Sequence, residues 1–182
     1  MPPTPAERAR GIVATATTVE VGVLSRTVTL ERHVADLDGS LLFCAPSVSA
    51  GDDGFLSACS VLPGGLPRPV LVATALDVSG VPQPDRVRGV ARLTGALEPV
   101  SGPLPDGVRE HLRADGGDRP VLRLRPQRVA VDWRVDRCEV GAVAVEPAAY
   151  ARAGLDPLVG WESEWAGHLA RDHGDAVDAL AR

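Results

Sequence analysis

Residues 26–51, RTVTLERHVADLDGSLLFCAPSVSAG, contain the pattern that decides the fold. Thr27–His33 and Ser40–Ala45 are rich in β-branched and apolar residues, which predicts two strands. Asp38-Gly39 between them is a strong hairpin signal, because glycine adopts the positive φ that a tight turn requires. A loop is predicted over residues 45–53. We expect this hairpin to form one wall of any small-molecule site.

The segments on either side of the hairpin predict one helix followed by many short strands. Thr4 can cap a helix with Pro5 at its first position and Glu7 completing a capping box, so we predict helix over about residues 5–16. About seven short strands with little helix between them favour an antiparallel barrel over a βαβ sheet. Further strands are predicted at Val19–Leu24, Val70–Leu76, Val87–Val100, Val121–Arg125, Val129–Trp133 and Cys138–Val145, and short helices at Phe55–Val61 and Gly107–Ala114.

The C-terminal end changes character after about residue 150. Asp156-Pro157 predicts a helix start, and Trp161, Trp165 and Leu169 then share one helical face. We therefore predict a barrel domain over residues 1–150 and a C-terminal helical segment over 151–182, which could be the beginning of a small α/β domain.

Composition excludes several classes of function. The chain has 182 residues, 45% of them hydrophobic, and a net charge of −5. It has no apolar run long enough to span a membrane and no signal-like N-terminus, so we expect a cytoplasmic protein without membrane contact. Its acidity argues against a nucleic-acid surface. All basic side chains are arginine or histidine, since the sequence contains no lysine. Lysine-based chemistry is therefore excluded, and anions must be held by arginine, hydroxyls or backbone N–H groups.

The hairpin resembles the FMN-binding split barrels related to pyridoxamine-phosphate oxidase. Those proteins carry R-x-V-L-L-K and then F-Y-T-x-x-x-S-R-K, where this chain has Arg26–Glu31 and a segment that begins at Phe43. Arg26 and Ser49 match the pattern, whereas Glu31 and Ala50-Gly51 replace three cations. Each lost charge-assisted hydrogen bond costs about 1.5–3 kcal/mol. The resemblance implies a mainly β fold with α: an antiparallel split β-barrel with short flanking helices and a C-terminal helix.

A second resemblance lies at the C-terminus. The sequence from His168 to Ala176, HLARDHGDA, is similar to the H-M-N-x-D-H-x-D-A motif of haem-utilisation (HugZ-like) haem oxygenases. That motif opens the small α/β domain that follows their split barrel. Whether Arg182 is the natural C-terminus stays open. Together the two resemblances imply a homodimer that binds haem, another tetrapyrrole or FMN at its interface.

Four of the chain's residues are predicted to contact the cofactor: Arg26, His33, Ser49 and Arg88. His33 is a candidate haem- or flavin-facing donor, with a solvated strand end as the alternative. Arg88, together with Arg86 and Arg92, could hold carboxylates such as haem propionates. The ordinary alternative is that these arginines alternate on a solvent-facing strand.

His168 is the candidate metal ligand. It could ligate haem iron with Asp172, four residues on, orienting the imidazole. The alternative is a hydrogen-bonded histidine that packs between helix and barrel.

Three functions follow. The first is a split barrel that binds haem or a flavin-type cofactor. As an enzyme it would be a haem-degrading enzyme or an oxidoreductase in which the cofactor supplies the chemistry. The second is a non-catalytic regulatory or scaffold barrel that has lost FMN binding. The third is a deazaflavin-dependent reductase, whose anionic cofactor would have to be held by arginine alone. The residues do not decide whether the protein is an enzyme.

Overall fold

Eight strands and three short helices form the part of the chain that the computed structural model describes, which comprises residues 2–23, 26–45, 70–78, 87–113, 119–135 and 138–155 with 168, 171–173, 175 and 179. The helices are α1 (Pro5–Thr15), α2 (Asp106–Arg113) and α3 (Pro147–Arg152). The strands are β1 (Val19–Val23), β2 (Arg26–Leu30), β3 (Val34–Ala35), β4 (Leu41–Cys44), β5 (Val70–Val78), β6 (Val87–Pro99), β7 (Val121–Val135) and β8 (Cys138–Val145).

Helix α1 begins where its capping sequence predicts. The Thr4 N–H donates to Glu7 Oε2 at 2.7 Å, and the Glu7 N–H donates to Thr4 Oγ1 at 3.3 Å. These reciprocal bonds satisfy backbone donors that a helix N-terminus otherwise leaves unpaired. The helix ends at Thr15, within a residue of the prediction.

All strand pairs are antiparallel and form one sheet in the order β2-β1-β5-β6-β7-β4-β3. Strand β7 pairs with β6 along one edge, and along the other edge it pairs first with β4 and then with β8. The sheet thereby curls into a half-barrel with short helices around it. The predicted fold class, an antiparallel split β-barrel, is confirmed.

The hairpin prediction is correct at its turn and wrong in the strand before it. The predicted strand Thr27–His33 divides into β2, which pairs with β1, and the two-residue β3, which pairs with β4. His33 lies in the break between the two strands, where its imidazole contacts the backbone of α1. The turn closes with the Asp36 N–H donating to Ser40 O at 2.8 Å, and Gly39 has a φ of 84°.

Strand β7 corrects a second prediction. We expected an interruption at Pro126, but β7 runs through it without a break. Pro126 lies opposite Gly95, where the β6–β7 register shifts. A bulge tolerates proline because one residue there leaves the ladder. A Cβ on Gly95 would lie 1.8 Å from the Arg125 carbonyl oxygen, so glycine permits the close approach that bends the sheet.

The core lies between α1 and the concave face of the sheet. An apolar stripe of α1, formed by Ala9, Ile12, Val13 and Ala16, is buried. A second cluster lies under α2, where the buried Cys44 thiol donates to Leu112 O at 3.2 Å. The buried face of the sheet includes Val19, Val21, Leu71, Ala73, Ala91, Leu93, Leu124 and Val131.

Helix α3 is absent from the sequence predictions and begins before the proposed boundary at residue 150. Its Tyr150 is 1% exposed and packs in the main core, so the helix extends the barrel. The boundary itself stays a prediction. In the predicted C-terminal helix, His168, Arg171 and Asp172 are helical, while Trp161 and Trp165 lie outside the described residues. The predicted helix Phe55–Val61 and the loop around it also lie outside them.

Within the described residues, none of the helices has the length and apolar character needed to cross a membrane.

Candidate functional site

The imidazole of His33 is buried where the chain passes from β2 to β3. It is 9% exposed, and its Nε2 lies 2.8 Å from the carbonyl oxygen of Val13 in α1. A carbonyl can only accept, so Nε2 carries a proton. Burial lowers the pKa of His33, the hydrogen bond to Val13 opposes that effect, and the charge of His111 adds to the lowering.

This bond gives His33 a structural role. The last carbonyls of a helix have no partner within it, and the imidazole satisfies one of them. In its neutral form the ring leaves Nδ1 as an acceptor. That atom is also buried and has no hydrogen-bond partner within the described residues. Contact between His33 and a cofactor stays a prediction, and Nδ1 is the atom that could make it.

Arg10 is a buried charge that the sequence interpretation missed. It lies on α1 beside the apolar stripe and is 4% exposed. Its Nη2 donates to the backbone carbonyl of Asp36, and its Cζ lies 5.4 Å from the ring centroid of Tyr150. One guanidinium thus joins α1, the β3–β4 turn and α3. No local pattern signals this burial, because Arg10 lies beside the apolar stripe of α1 and not within it.

The β3–β4 turn carries two carboxylates that converge on Arg123 of β7. Arg123 Nη2 lies 3.2 Å from Asp36 Oδ2, and Nη1 lies 3.7 Å from Asp38 Oδ2. Burial acts to raise the pKa of Asp38, but hydrogen bonds from Ser40 and the charge of Arg123 lower it overall. The Ser40 N–H donates to Asp38 Oδ1 at 2.9 Å. This network fixes the turn to the sheet.

Arg88, predicted to bind a cofactor carboxylate, contacts a carboxylate of the chain instead. Its Nη2 and Nε lie 2.6 and 3.1 Å from Asp77 Oδ1 on β5. Arg92, on the same strand, lies 2.7 Å from Asp132 Oδ2 on β7. Arg86 lies outside the described residues. A ligand carboxylate at Arg88 would therefore have to compete with Asp77.

The side chains of two predicted cofactor contacts, Arg26 and Ser49, lie outside the described residues. The backbone of Arg26 pairs with Val23 at the start of β2, but its side chain lies outside the described part of the structure. Ser49 lies wholly outside it. Both stay predictions.

His168 and Asp172 form the predicted i,i+4 pair. His168 Nδ1 lies 2.7 Å from Asp172 Oδ2, and both side chains are about half exposed, at 49% and 55%. The ring of His173 meets that of His168 edge-on, with centroids 5.2 Å apart. Among the described residues, no group of three or more histidine, cysteine or acidic side chains is arranged to hold a metal ion. Iron in a haem needs only an axial ligand from the protein, so this finding leaves the predicted role of His168 untested.

Comparisons with known proteins extend the description of the fold. No family model matches the chain, and a search of the curated proteins finds no match. A haem-binding protein from Mycobacterium smegmatis has a similar structure, with a TM-score of 0.65 and 22% identity over 100% of this chain and 74% of that one. A protein of unknown function from Agrobacterium tumefaciens gives a TM-score of 0.52 and 18% identity over 94% of this chain and 74% of that one.

A third solved structure is more distant. A pyridoxamine 5'-phosphate oxidase-related, FMN-binding protein from Nostoc punctiforme gives a TM-score of 0.37 and 14% identity over 78% of this chain and 93% of that one. That score is too low to support an argument. At these identities the first two likenesses show a shared fold, and the fold is the split barrel described above.

Proposed function

We propose that the protein binds haem between the barrels of two copies, with His168 as an axial ligand of the iron. The observation that carries the proposal is the 2.7 Å contact between His168 Nδ1 and Asp172 Oδ2. A carboxylate in this position fixes the tautomer of the imidazole and raises its basicity, leaving Nε2 for a metal. The structural likeness to a haem-binding protein, which extends over 100% of the chain, supports the choice of ligand.

The charges of the chain favour haem over FMN. A phosphate dianion is held most strongly by several charged donors. The chain has no lysine, and Glu31 and Ala50-Gly51 stand where the resembling FMN proteins have cations. Haem instead offers a broad apolar surface with two carboxylates at one edge. Bound haem would supply redox chemistry, and the chain would orient and shield it.

The outer face of β5 supports a second copy as the partner. Its outward side chains and the adjoining end of β6 expose five large apolar residues: Val70, Val72, Leu76, Val78 and Val87, with exposures of 57, 40, 39, 43 and 37%. We call this set the outer stripe. Apolar side chains clustered on one sheet face are typical of an interaction surface. Asp77 lies between Leu76 and Val78 in the chain, so the Arg88–Asp77 pair would lie close to the interface.

Hemin titration followed by absorbance tests the binding proposal. We expect a shifted Soret band in the wild type and a loss of that shift in His168→Ala. Asp172→Asn should keep binding but weaken it about 10–100-fold, as expected for a lost partner of a metal ligand. His111→Ala is the matched control, since His111 is exposed on α2, and it should behave like wild type.

Unchanged hemin spectra at tens of micromolar would overturn the proposal, as would a Soret shift equal in wild type and His168→Ala. Parallel titrations with FMN and a deazaflavin test the other cofactors. The second candidate, a non-catalytic scaffold barrel, is favoured by the carboxylate partners of Arg88 and Arg92. It predicts unchanged spectra with all three ligands.

A further inference from the structure

Arg10 combines deep burial with donors that lack acceptors. Its side chain is 4% exposed, and its Nη2 donates to the Asp36 carbonyl. Its Nε and Nη1 are both inaccessible and have no hydrogen-bond partner within the described residues. Since arginine remains protonated in proteins, these groups are parts of a buried positive charge.

The acidic side chain beside Arg10 does not neutralise this charge directly. Asp36 offers Arg10 its backbone carbonyl, while its carboxylate is used elsewhere. Asp36 Oδ1 accepts the Leu37 N–H at 2.8 Å, and Asp36 Oδ2 faces Arg123 at 3.2 Å. No described carboxylate forms an ion pair with Arg10. An uncompensated buried charge is strongly destabilising, so a further negative partner would stabilise this junction.

Tyr150 supplies a second unpaired donor beside the guanidinium. It is 1% exposed, and its hydroxyl has no hydrogen-bond partner among the described residues. Burial raises the pKa of Tyr150 to about 12, although the charge of Arg10 and a side-chain interaction between its guanidinium and the hydroxyl oppose this shift. The hydroxyl therefore keeps its proton and can donate. Arg10 Cζ lies 5.4 Å from the centroid of the Tyr150 ring, so both donors belong to the same junction of α1 and α3.

From this arrangement we propose that the junction of α1, the β3–β4 turn and α3 binds one small inorganic anion of halide size, held by the guanidinium of Arg10 and the hydroxyl of Tyr150. The donors are all N–H or O–H groups, one of them charged, which is the chemistry that recognises an anion. Because each donor atom is closed off from solvent, a nucleotide or other large anion cannot reach it while the junction is closed. The site uses none of the residues assigned to the proposed haem site and does not depend on it.

Thermal unfolding in sodium chloride, sodium bromide and sodium gluconate at equal ionic strength tests the proposal. At a halide concentration about a hundredfold above Kd, linkage predicts a Tm about 5–10 °C higher than in gluconate. Crystals grown in bromide should show an anomalous peak within hydrogen-bonding distance of an Arg10 nitrogen. Equal Tm values in halide and gluconate, together with no anomalous peak at Arg10, would overturn the proposal. Water would then be the partner of these donors.

Two variants and one control separate this site from general salt effects. Tyr150→Phe keeps the ring and removes the hydroxyl, so halide affinity should fall at least about tenfold, as for a hydrogen bond to a charged group. Arg10→Met should abolish the halide dependence. Arg8→Met is the control, because Arg8 lies on the same helix and stacks at 5.1 Å on Trp133, and it should retain the shift. A shift retained in Arg10→Met would refute the proposal, and if that variant fails to fold, Tyr150→Phe and the bromide peak still decide.

Discussion

His33 Nε2 lies 2.8 Å from the carbonyl oxygen of Val13, so a buried imidazole caps the C-terminal end of α1 and ties that helix to the start of β3. The bond crosses 20 residues of sequence and joins two elements that are both short. Because the contact needs Nε2 to be a donor and burial disfavours the charged ring, the site favours the neutral imidazole with its proton on Nε2.

The first prediction concerns pH. The pKa of His33 is lowered in the folded protein, so the unfolded chain binds the proton more readily. The contribution of His33 to the free energy of unfolding is therefore fully present above about pH 6.5, the ordinary pKa of histidine. It is lost as the pH falls through the lower pKa that His33 has in the folded protein. Urea unfolding measured between pH 8 and about pH 5 should show the decline.

Two variants isolate His33 in that experiment. His33→Gln keeps an N–H donor without a titrating group, and its stability should depend less on pH in this window. His173→Gln removes an exposed histidine instead and should keep the wild-type profile. A decline as steep in His33→Gln as in wild type would show that another group is responsible.

The second prediction concerns the turn. Gly39 has a φ of 84°, and a Cβ there would lie 3.0 Å from Ala151 Cα in α3. Gly39→Ala combines the cost of the left-handed conformation with crowding, so we expect a loss of about 2–4 kcal/mol in the free energy of unfolding. Gly107→Ala is the matched control, since a Cβ there meets no atom within 4 Å. That variant lies in α2 and should gain about 0.4–1 kcal/mol. Similar values for the two variants would contradict this account of the turn.

The comparison of sequence and structure separates local from long-range information. The cap at Thr4 and Glu7 and the turn at Gly39 were predictable because each depends on residues a few positions apart. The break between β2 and β3 was not, because β2 pairs with β1 whereas β3 pairs with β4 at the other end of the sheet.

The charged residues predicted to bind a cofactor or metal show the same contrast between local and long-range contacts. Spacing placed Arg88 on a strand, but it could not show that Asp77 of the neighbouring strand is its partner. The i,i+4 pair of His168 and Asp172 was predictable, since one turn of helix brings such residues together. The buried junction of Arg10 and Tyr150 joins residues 140 positions apart, and no local pattern reports it.

The third prediction concerns the bulge in β7 that lies opposite Gly95 of β6. A Cβ on Gly95 would lie 1.8 Å from the Arg125 carbonyl oxygen, so the backbone of β7 has to move to admit it. Gly95→Ala should cost at least about 3 kcal/mol, the upper end of ordinary overpacking. Gly141→Ala in β8 meets no atom within 4 Å and should change stability by no more than about 0.5 kcal/mol. A Gly95 variant as stable as the Gly141 variant would mean that the two strands do not approach each other this closely.

The last prediction concerns the outer stripe. If two copies pack through it, light scattering should give twice the chain mass of 19.0 kDa at high concentration. Leu76→Glu places a charge in the middle of the stripe, and burying an unpaired carboxylate costs several kcal/mol, so this variant should dissociate into monomers. Leu37→Glu is the control, because Leu37 is 92% exposed but lies on the β3–β4 turn, outside the stripe. It should remain dimeric. A wild type that stays at the mass of one chain, or a Leu76 variant that stays at twice that mass, would exclude the stripe as the contact between copies.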